Sequence, residues 1–416
     1  MGGTLAVAAV RAPRAAAGPA PRTPARLLAD PGGQRLVVLG AGFGGLTAAL
    51  TVKRLRPRAE VVVLERAAGF VSAPGSLEYL FGLAPVTAIT RGYATLAGRG
   101  LRLIQAPVQA VDLESKRVVT PAGVLGYDYL LVATGLRLAW EEVPGLADGH
   151  TRTLSFFEPG PALVDARRRI EAFTGGHVVV TTPASAYKCP PAPYEYALLW
   201  ADALRRRRLP GRVTLVDPRP KPTPPALAPG ILAAMDAHRG RLTYEPFARL
   251  LSVDLESRAV ETEAGRLSFD VLSVVPPNAP MAFLAEAGLG EPFVDVDPRT
   301  FRSTRDPAVY AVGDTADTPY ARTAATAISS ARIAGRHIAE TLGAAPRDAG
   351  APSNVCFPLV SAERALLLRT QWSHAGGAGE TLHVEAESTA DNEASAAHLR
   401  SRRQWAAAAL RAMFGG

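Results

Sequence analysis

The chain has 416 residues, 48% of them hydrophobic, and 46 Lys and Arg against 38 Asp and Glu give a formal charge of +8. That length suits two or three domains with separate cores. No stretch approaches the roughly 18 consecutive apolar residues of a spanning helix, which excludes an integral membrane protein built on helices. The basic excess is modest and lacks the aromatic interleaving of a nucleic-acid surface, and no histidines stand at metal-ligand spacing.

Residues 1 to 33 are rich in Ala, Pro, Arg and Gly. An apolar stretch, Gly3 to Val10, precedes small residues Ala15 to Gly18, in the order of an export signal but without a charged leading segment. Two readings stand: a twin-arginine-type signal with an incomplete start, which places the protein in the periplasm, or a disordered arm on a cytoplasmic protein. Ordered structure is expected from Gln34. Arg35 to Leu39 reads as a buried strand, and Gly40-Ala-Gly42-Phe-Gly-Gly45 follows as a tight turn opening a helix. A second strand, Val61 to Leu64, ends at Glu65. Gly40 permits the turn, Gly42 admits a pyrophosphate to the backbone, Gly45 lets helix pack on strand, and Glu65 accepts from a ribose hydroxyl. This is a dinucleotide site.

Two later strands close on short motifs: Tyr127-Asp-Tyr-Leu-Leu-Val-Ala-Thr-Gly135 on Ala-Thr-Gly, and Ala308-Val-Tyr-Ala-Val-Gly313-Asp314 on Gly-Asp. Both resemble the second and third flavin motifs of the pyridine nucleotide-disulfide oxidoreductase superfamily, which implies FAD. A second nucleotide domain of that superfamily carries its own glycine turn for NAD(P)H. Here the strand Gly176 to Thr182 is followed by Pro183-Ala-Ser-Ala-Tyr-Lys-Cys189-Pro-Pro. Proline offers no backbone donor and side chains block close approach, so NAD(P)H is not the expected electron donor.

Cys189 and Cys356 are the only cysteines. Pro190, Pro191 and Pro193 stiffen the first cysteine loop, and Pro193 suits the first turn of a helix running to Leu204. A sulfur just before a helix N-terminus is expected to gain thiolate character, and Glu195 is placed one turn on as a proton acceptor. The alternatives are a small buried hydrophobe and a first-turn helix acid. Arg205 to Arg208 reads as a basic helix end rather than a binding patch.

Cys189-Pro-Pro-Ala-Pro-Tyr-Glu195, Asp217-Pro218-Arg-Pro220, Val274-Val-Pro-Pro277, the Gly-Asp motif and Asn354-Val-Cys356 together resemble the flavoprotein subunit of flavocytochrome c sulfide dehydrogenase. The sulfide:quinone oxidoreductases form a sister family. The likeness spans Gln34 to Phe414. It implies an α/β fold with two Rossmann-like three-layer dinucleotide-binding domains plus a C-terminal α+β interface domain. The implied boundaries are 34–149 with 276–344 for the FAD domain, 150–275 for the second domain and 345–416 for the interface domain.

The resemblance also assigns residues. Cys189 and Cys356 match a redox disulfide beside the flavin, and Glu195 matches the acid near it. Gly40, Gly42, Gly45, Glu65, Arg66, Ala133, Thr134, Gly135, Gly313 and Asp314 match FAD-binding positions. Val108 matches a backbone contact to adenine. The segment from Tyr320 to Ala325 matches a helix start aimed at the flavin, with Arg322 where relatives often carry lysine. Phe70 to Gly75 lacks the cysteine that attaches FAD covalently in flavocytochrome c, so non-covalent FAD is expected.

The implied reaction is oxidation of sulfide through the cysteine pair, with electrons passed by FAD to a c-type cytochrome subunit. Quinone is the alternative acceptor, and a non-catalytic FAD-binding protein with a structural disulfide is the reading from another class. The chain has no Cys-x-x-Cys-His, so any haem belongs to a partner. Ala396 to Phe414 has the pattern of a basic amphipathic helix, expected to pack on its own domain rather than lie on a membrane. Trp372 and Trp405 are expected to be packing groups, and no metal site is expected.

Overall fold

A computed structural model describes residues 26–29, 34–346, 350–375 and 383–415. The segments Gly3 to Val10 and Ala15 to Gly18 lie outside the described residues. The chain order that matters for function is β1 (Arg35–Leu39), α1 (Phe43–Leu55), β2 (Glu60–Glu65), α2 (Ala73–Leu80), β3 (Arg102–Gln105) and β4 (Tyr129–Val132). Then come β5 (Gly176–Thr181), α3 (Ala192–Arg206), β6 (Gly211–Val216), β7 (Leu242–Glu245) and β8 (Val271–Val274). The last third supplies β9 (Val309–Ala311), α4 (Ala324–Thr341), β10 (Ser353–Cys356), β11 (Ala365–Ala375), β12 (His383–Ser395) and α5 (Ala396–Phe414).

The first sheet runs β9-β4-β1-β2-β3, parallel throughout. Its strands read as continuous Val and Leu runs because both faces are covered, as a parallel sheet requires. One of its five strands, β9, arrives almost 180 residues after the others. The second sheet, β7-β6-β5-β8, is also parallel and comes from residues 176–274. The third is the antiparallel meander β10-β11-β12.

Three features bring distant segments together. Helix α1 packs along α4, and a Cβ at Gly335 would lie 3.0 Å from the Ala48 carbonyl oxygen, so glycine sets the closeness of the two helices. Helix α3 is almost wholly buried, with Trp200 ringed by Phe81, Phe173 and Tyr196. The apolar face of α5 ends in the first core, where the Phe414 ring lies 5.2 Å from that of Phe70. That packing consumes the face a membrane-surface helix would need. Arg205 and Arg206 pair with buried Asp202, and Arg207 donates to the carbonyls of Ile170, Glu171 and Phe173. The arginine run therefore closes a helix end.

Candidate functional site

The glycine turn forms where β1 meets α1. Gly40 has φ +100°, and a Cβ there would stand 2.5 Å from the Ala133 carbonyl oxygen, so any side chain collides with the turn after β4. A Cβ on Gly45 would fall 1.9 Å from the Gly40 carbonyl oxygen, which locks helix onto strand. Gly42 differs: a Cβ there would have nothing within 4 Å, so this position opens onto free space at the start of α1. Glu65 ends β2 and accepts from the Ala41 and Ala67 amides, both at 2.8 Å, one on each oxygen. Each oxygen keeps a lone pair for a further donor.

These groups line a cavity of about 310 Å³. Gly40, Gly42, Glu65, Ala133, Thr134, Gly135, Gly313, Asp314 and Arg322 all contribute to its wall, together with Cys189, Glu195 and Cys356. Gly45, Arg66 and Val108 do not line it. Gly45 serves the helix-strand contact, Arg66 stands close enough to Lys188 to oppose its protonation, and Val108 packs on the first core. Thr134 Oγ1 is buried with no hydrogen-bond partner among the described residues. Asp314 lies in the 3-10 turn after β9, and burial pushes its carboxyl up against the pull of Lys188 and Arg322. The Arg322 guanidinium lies 4.0 Å from the centre of the Phe293 ring and donates from Nε to the Asp314 carbonyl at 3.1 Å.

The eighteen-residue helix α4 begins at this wall, capped by Thr323, whose Oγ1 accepts from the Thr326 amide. A glycine cradle, a helix start facing the cavity, a ribose-type acid and an orphaned threonine hydroxyl are the donor set a flavin dinucleotide requires. The residues present fit FAD.

Both cysteines stand in this wall as separate thiols, half-buried. Cys189 has φ +54°, a left-handed conformation rare outside glycine and commonest at functional sites. It is held there because its amide donates to the Arg322 carbonyl and its own carbonyl accepts from the Ala192 amide. Cys356 ends β10, whose partner Thr370 on β11 fixes the Asn354 register. The two sulfurs thus come from segments 167 residues apart and face one cavity.

The expected thiolate character of Cys189 is corrected by the structure. Burial, then the neighbouring Cys356 and Glu195, push its thiol well above the usual range, and Cys356 is pushed up to about 12 for the same first reason. Helix α3 begins only at Ala192, and a helix terminus acts over little more than its first turn. Desolvation wins.

Glu195 is 3% exposed and raised by burial despite an arginine partner. Its Oε2 accepts from the Leu359 amide at 2.9 Å and from Arg402 Nη1 at 3.1 Å. Arg402 is one of the arginines of the basic amphipathic helix α5, and the sequence pattern did not single it out. It is buried, and it also donates to Glu78 Oε2, to the Phe357 carbonyl beside Cys356 at 2.6 Å, and to the Pro74 carbonyl. Arg403 takes the other oxygen of Glu78 at 2.8 Å. Nothing in the local pattern distinguishes Arg402 from Arg400 or Arg403, since its partners are 207 and 324 residues away. Lys188 was also missed. It lines the cavity with its ammonium 5.1 Å from the Phe157 ring centre, and adjacency to Cys189 was the available signal. Trp405 packs against the second core and also lines the cavity, whereas Trp372 is buried in the first core.

The second sheet has a different end. At the close of β6, where a nucleotide-binding acid would stand, Asp217 is fully buried and accepts from Thr182, Tyr194, Tyr244 and Arg219. The Arg219 guanidinium covers the Tyr187 ring at 5.0 Å. The carboxylate at this strand end is thus committed to protein donors.

Fold and cavity together define a flavoprotein with two dinucleotide-type domains that binds FAD. The model of the sulfide dehydrogenase (flavocytochrome c) flavoprotein chain, central region, matches residues 164–276, which include Cys189. The mitochondrial sulfide:quinone oxidoreductase of Dictyostelium discoideum is 27% identical over 317 residues, covering 72% of this chain and 69% of that protein. The X-ray structure of the sulfide:quinone oxidoreductase of Aquifex aeolicus superposes with a TM-score of 0.76 at 17% identity, covering 92% of each chain. A putidaredoxin reductase, solved as its covalent complex with putidaredoxin, gives a TM-score of 0.68 at 19% identity, covering 90% of this chain and 93% of that one. The chain is thus similar in sequence to sulfide:quinone oxidoreductases and to the central region of the flavocytochrome c flavoprotein chain, and shares the fold of the first.

Proposed function

We propose that this protein is an FAD-dependent sulfide dehydrogenase in which Cys189 and Cys356 form the redox pair that meets sulfide. The observation that carries the reading is the convergence of those two cysteines, from β10 and from the loop before α3, in the wall of the cavity that fits FAD. In its disulfide form the pair is attacked by the sulfur of hydrogen sulfide, which bonds to Cys189, gives up one proton and releases Cys356 as the thiolate. Glu195 is placed to hold the proton that this exchange sets free, and its raised affinity for a proton suits that task. The strained Cys189 backbone, tied to the Arg322 carbonyl, keeps the sulfur at the cavity while the pair opens and closes. FAD, when bound, supplies a two-electron acceptor that releases electrons singly.

For the acceptor we favour a c-type cytochrome on a separate chain. Supporting this are the match to the flavocytochrome c flavoprotein model across the first cysteine loop, the presence of only two cysteines, and an α5 whose apolar face is spent on the core. No helix among the described residues is long and apolar enough to cross a membrane. A quinone acceptor is the second reading, favoured by the sulfide:quinone oxidoreductases among the relatives. Anaerobic mixing with sulfide tests the enzyme: rapid bleaching of the flavin absorbance is expected, and a flavin unchanged by sulfide refutes it. Reoxidation of the bleached protein by cytochrome c but not by a soluble quinone supports the first acceptor, and the reverse supports the second.

A further inference from the structure

Arg402 stands between two places where negative charge must sit during the reaction proposed above, and on that reading the present inference rests. Its Nη1 donates to Glu195 Oε2 at 3.1 Å and, at 2.6 Å, to the carbonyl of Phe357, the residue that follows Cys356, which brings the guanidinium near enough to act on the Cys356 sulfur by charge. Glu195 Oε1 takes no hydrogen bond among the described residues, and Glu195 lines the cavity with both cysteines. Arg402 is itself 8% exposed, so water screens this cluster poorly and its charges act strongly on one another. The other charged groups against it are Glu78 from α2 and Arg403 from α5, paired at 2.8 Å, and Asp314 across the cavity facing Lys188 and Arg322.

We infer that Arg402 is the shared counterion of Glu195 and Cys356, and that it lets one negative charge pass from the carboxylate to the sulfur without changing the total charge of the cavity. The balance is explicit. Hydrogen sulfide, the Cys189–Cys356 disulfide and ionised Glu195 yield a Cys189 hydropersulfide, a Cys356 thiolate and protonated Glu195. One sulfur-sulfur bond breaks and one forms, and one proton moves from sulfide to the carboxyl. The charge is −1 on each side. A step that added an anion to a buried site beside two carboxylates would be far costlier than one that relocates it. The same guanidinium opposes protonation of Glu195 and favours the thiolate of Cys356, consistent with the direction in which it acts on each. Arg402 is a positioning residue here, because it acts through Glu195 and Cys356 rather than on sulfide.

Two readouts separate this role from a structural staple. The first is the pH dependence of sulfide-driven flavin bleaching, whose acid limb reports Glu195. In Arg402→Gln that limb moves to higher pH by about one unit, whereas Arg402→Lys, which keeps the charge, stays nearer the wild type at a lower rate. The second needs no turnover: alkylation of Cys356 against pH in reduced Cys189→Ser protein. Arg402→Gln raises the midpoint, so the thiolate fraction at a fixed pH falls about tenfold for each unit. Glu195→Gln lowers it, and also removes the acid limb of bleaching. These opposite shifts are expected of a shared counterion and not of lost packing. An Arg402→Gln protein that holds flavin with limb and midpoint both unchanged overturns the inference. If Arg402→Gln does not hold flavin, a Glu195→Gln midpoint equal to the wild type overturns it equally. Because alkylation does not involve sulfide, a protein that fails to bleach but shows both midpoint shifts refutes the proposed function and leaves the counterion role standing.

Discussion

Replacing Gly42 by alanine separates the two duties of the glycine turn. An added Cβ meets nothing within 4 Å, and the residue already has φ −80°, so neither contact nor backbone strain opposes it. Gly to Ala gains about 0.4–1 kcal/mol from the unfolded chain, offset by about the same amount for alanine in place of glycine at an N-cap. The apoprotein should therefore unfold in urea within about 0.5 kcal/mol of the wild type. FAD affinity should not survive so well, because the new methyl group stands in the space where the phosphates approach the helix start. Loss of one hydrogen bond to a charged group is worth roughly 1.5–3 kcal/mol, which at 1.4 kcal/mol per decade is about a tenfold to hundredfold rise in Kd. Titration of the apoprotein with FAD, followed by flavin fluorescence, reads the effect directly. Gly45→Ala is the contrast: its Cβ would overlap the Gly40 carbonyl oxygen, so the apoprotein itself should lose stability, by about 1–3 kcal/mol or more. A Gly42→Ala protein that binds FAD as tightly as the wild type, or an apoprotein destabilised as much as Gly45→Ala, would refute the assignment of the free space at Gly42 to the cofactor.

Cys189→Ser and Cys356→Ser should each retain flavin yet lose sulfide bleaching by at least about a hundredfold, since thiol-disulfide exchange needs both sulfurs; retention of the wild-type rate by either would remove the pair from the mechanism. In the reduced protein the native thiols hold protons that the unfolded chain releases near pH 8.5. Stability should therefore be fully present below that pH and decline as pH rises toward the Cys356 value of about 12, by up to about 1.4 kcal/mol per unit for each cysteine. Urea midpoints of reduced protein from pH 7 to 10 measure this, and a flat profile contradicts the burial argument. NADH should neither bleach the flavin nor protect the second domain from proteolysis, because Asp217 is already bonded to donors on four protein residues. Asp217→Ala should cost about 1–3 kcal/mol, since it leaves the buried hydroxyls of Thr182 and Tyr194 without their acceptor, while FAD affinity changes little.

Much of the first domain is legible in the sequence because its signals are local. The turn from Gly40 to Gly45, the acid at Glu65 and the strands before Gly135 and Gly313 are each set by a few adjacent residues, and each appears in the cavity wall or the packing beside it. The replacement of a second glycine turn by the cysteine loop is local in the same way. Harder to read is anything that depends on which distant segments meet. The sequence singled out Cys189 and Cys356 by number and setting, and the family resemblance paired them; β10 and the loop before α3 bring them to one cavity.

Burial also reversed one local inference. A cysteine before a helix reads as an activated thiolate, yet its protonation is decided by burial and by charges that include, besides nearby Glu195, Cys356 of β10, Arg402 of α5 and Asp314 of the turn after β9, all distant in the chain. Arg402 makes the same point from the other side. In sequence it is one arginine among several on an amphipathic helix, and only packing turns it inward to two carboxylates and the carbonyl beside Cys356. The chain by itself determined the cofactor cradle, because backbone conformation and a neighbouring acid suffice to define it. The tertiary structure alone decided the charge of the redox site, because desolvation and ion pairing are properties of what surrounds a group in space.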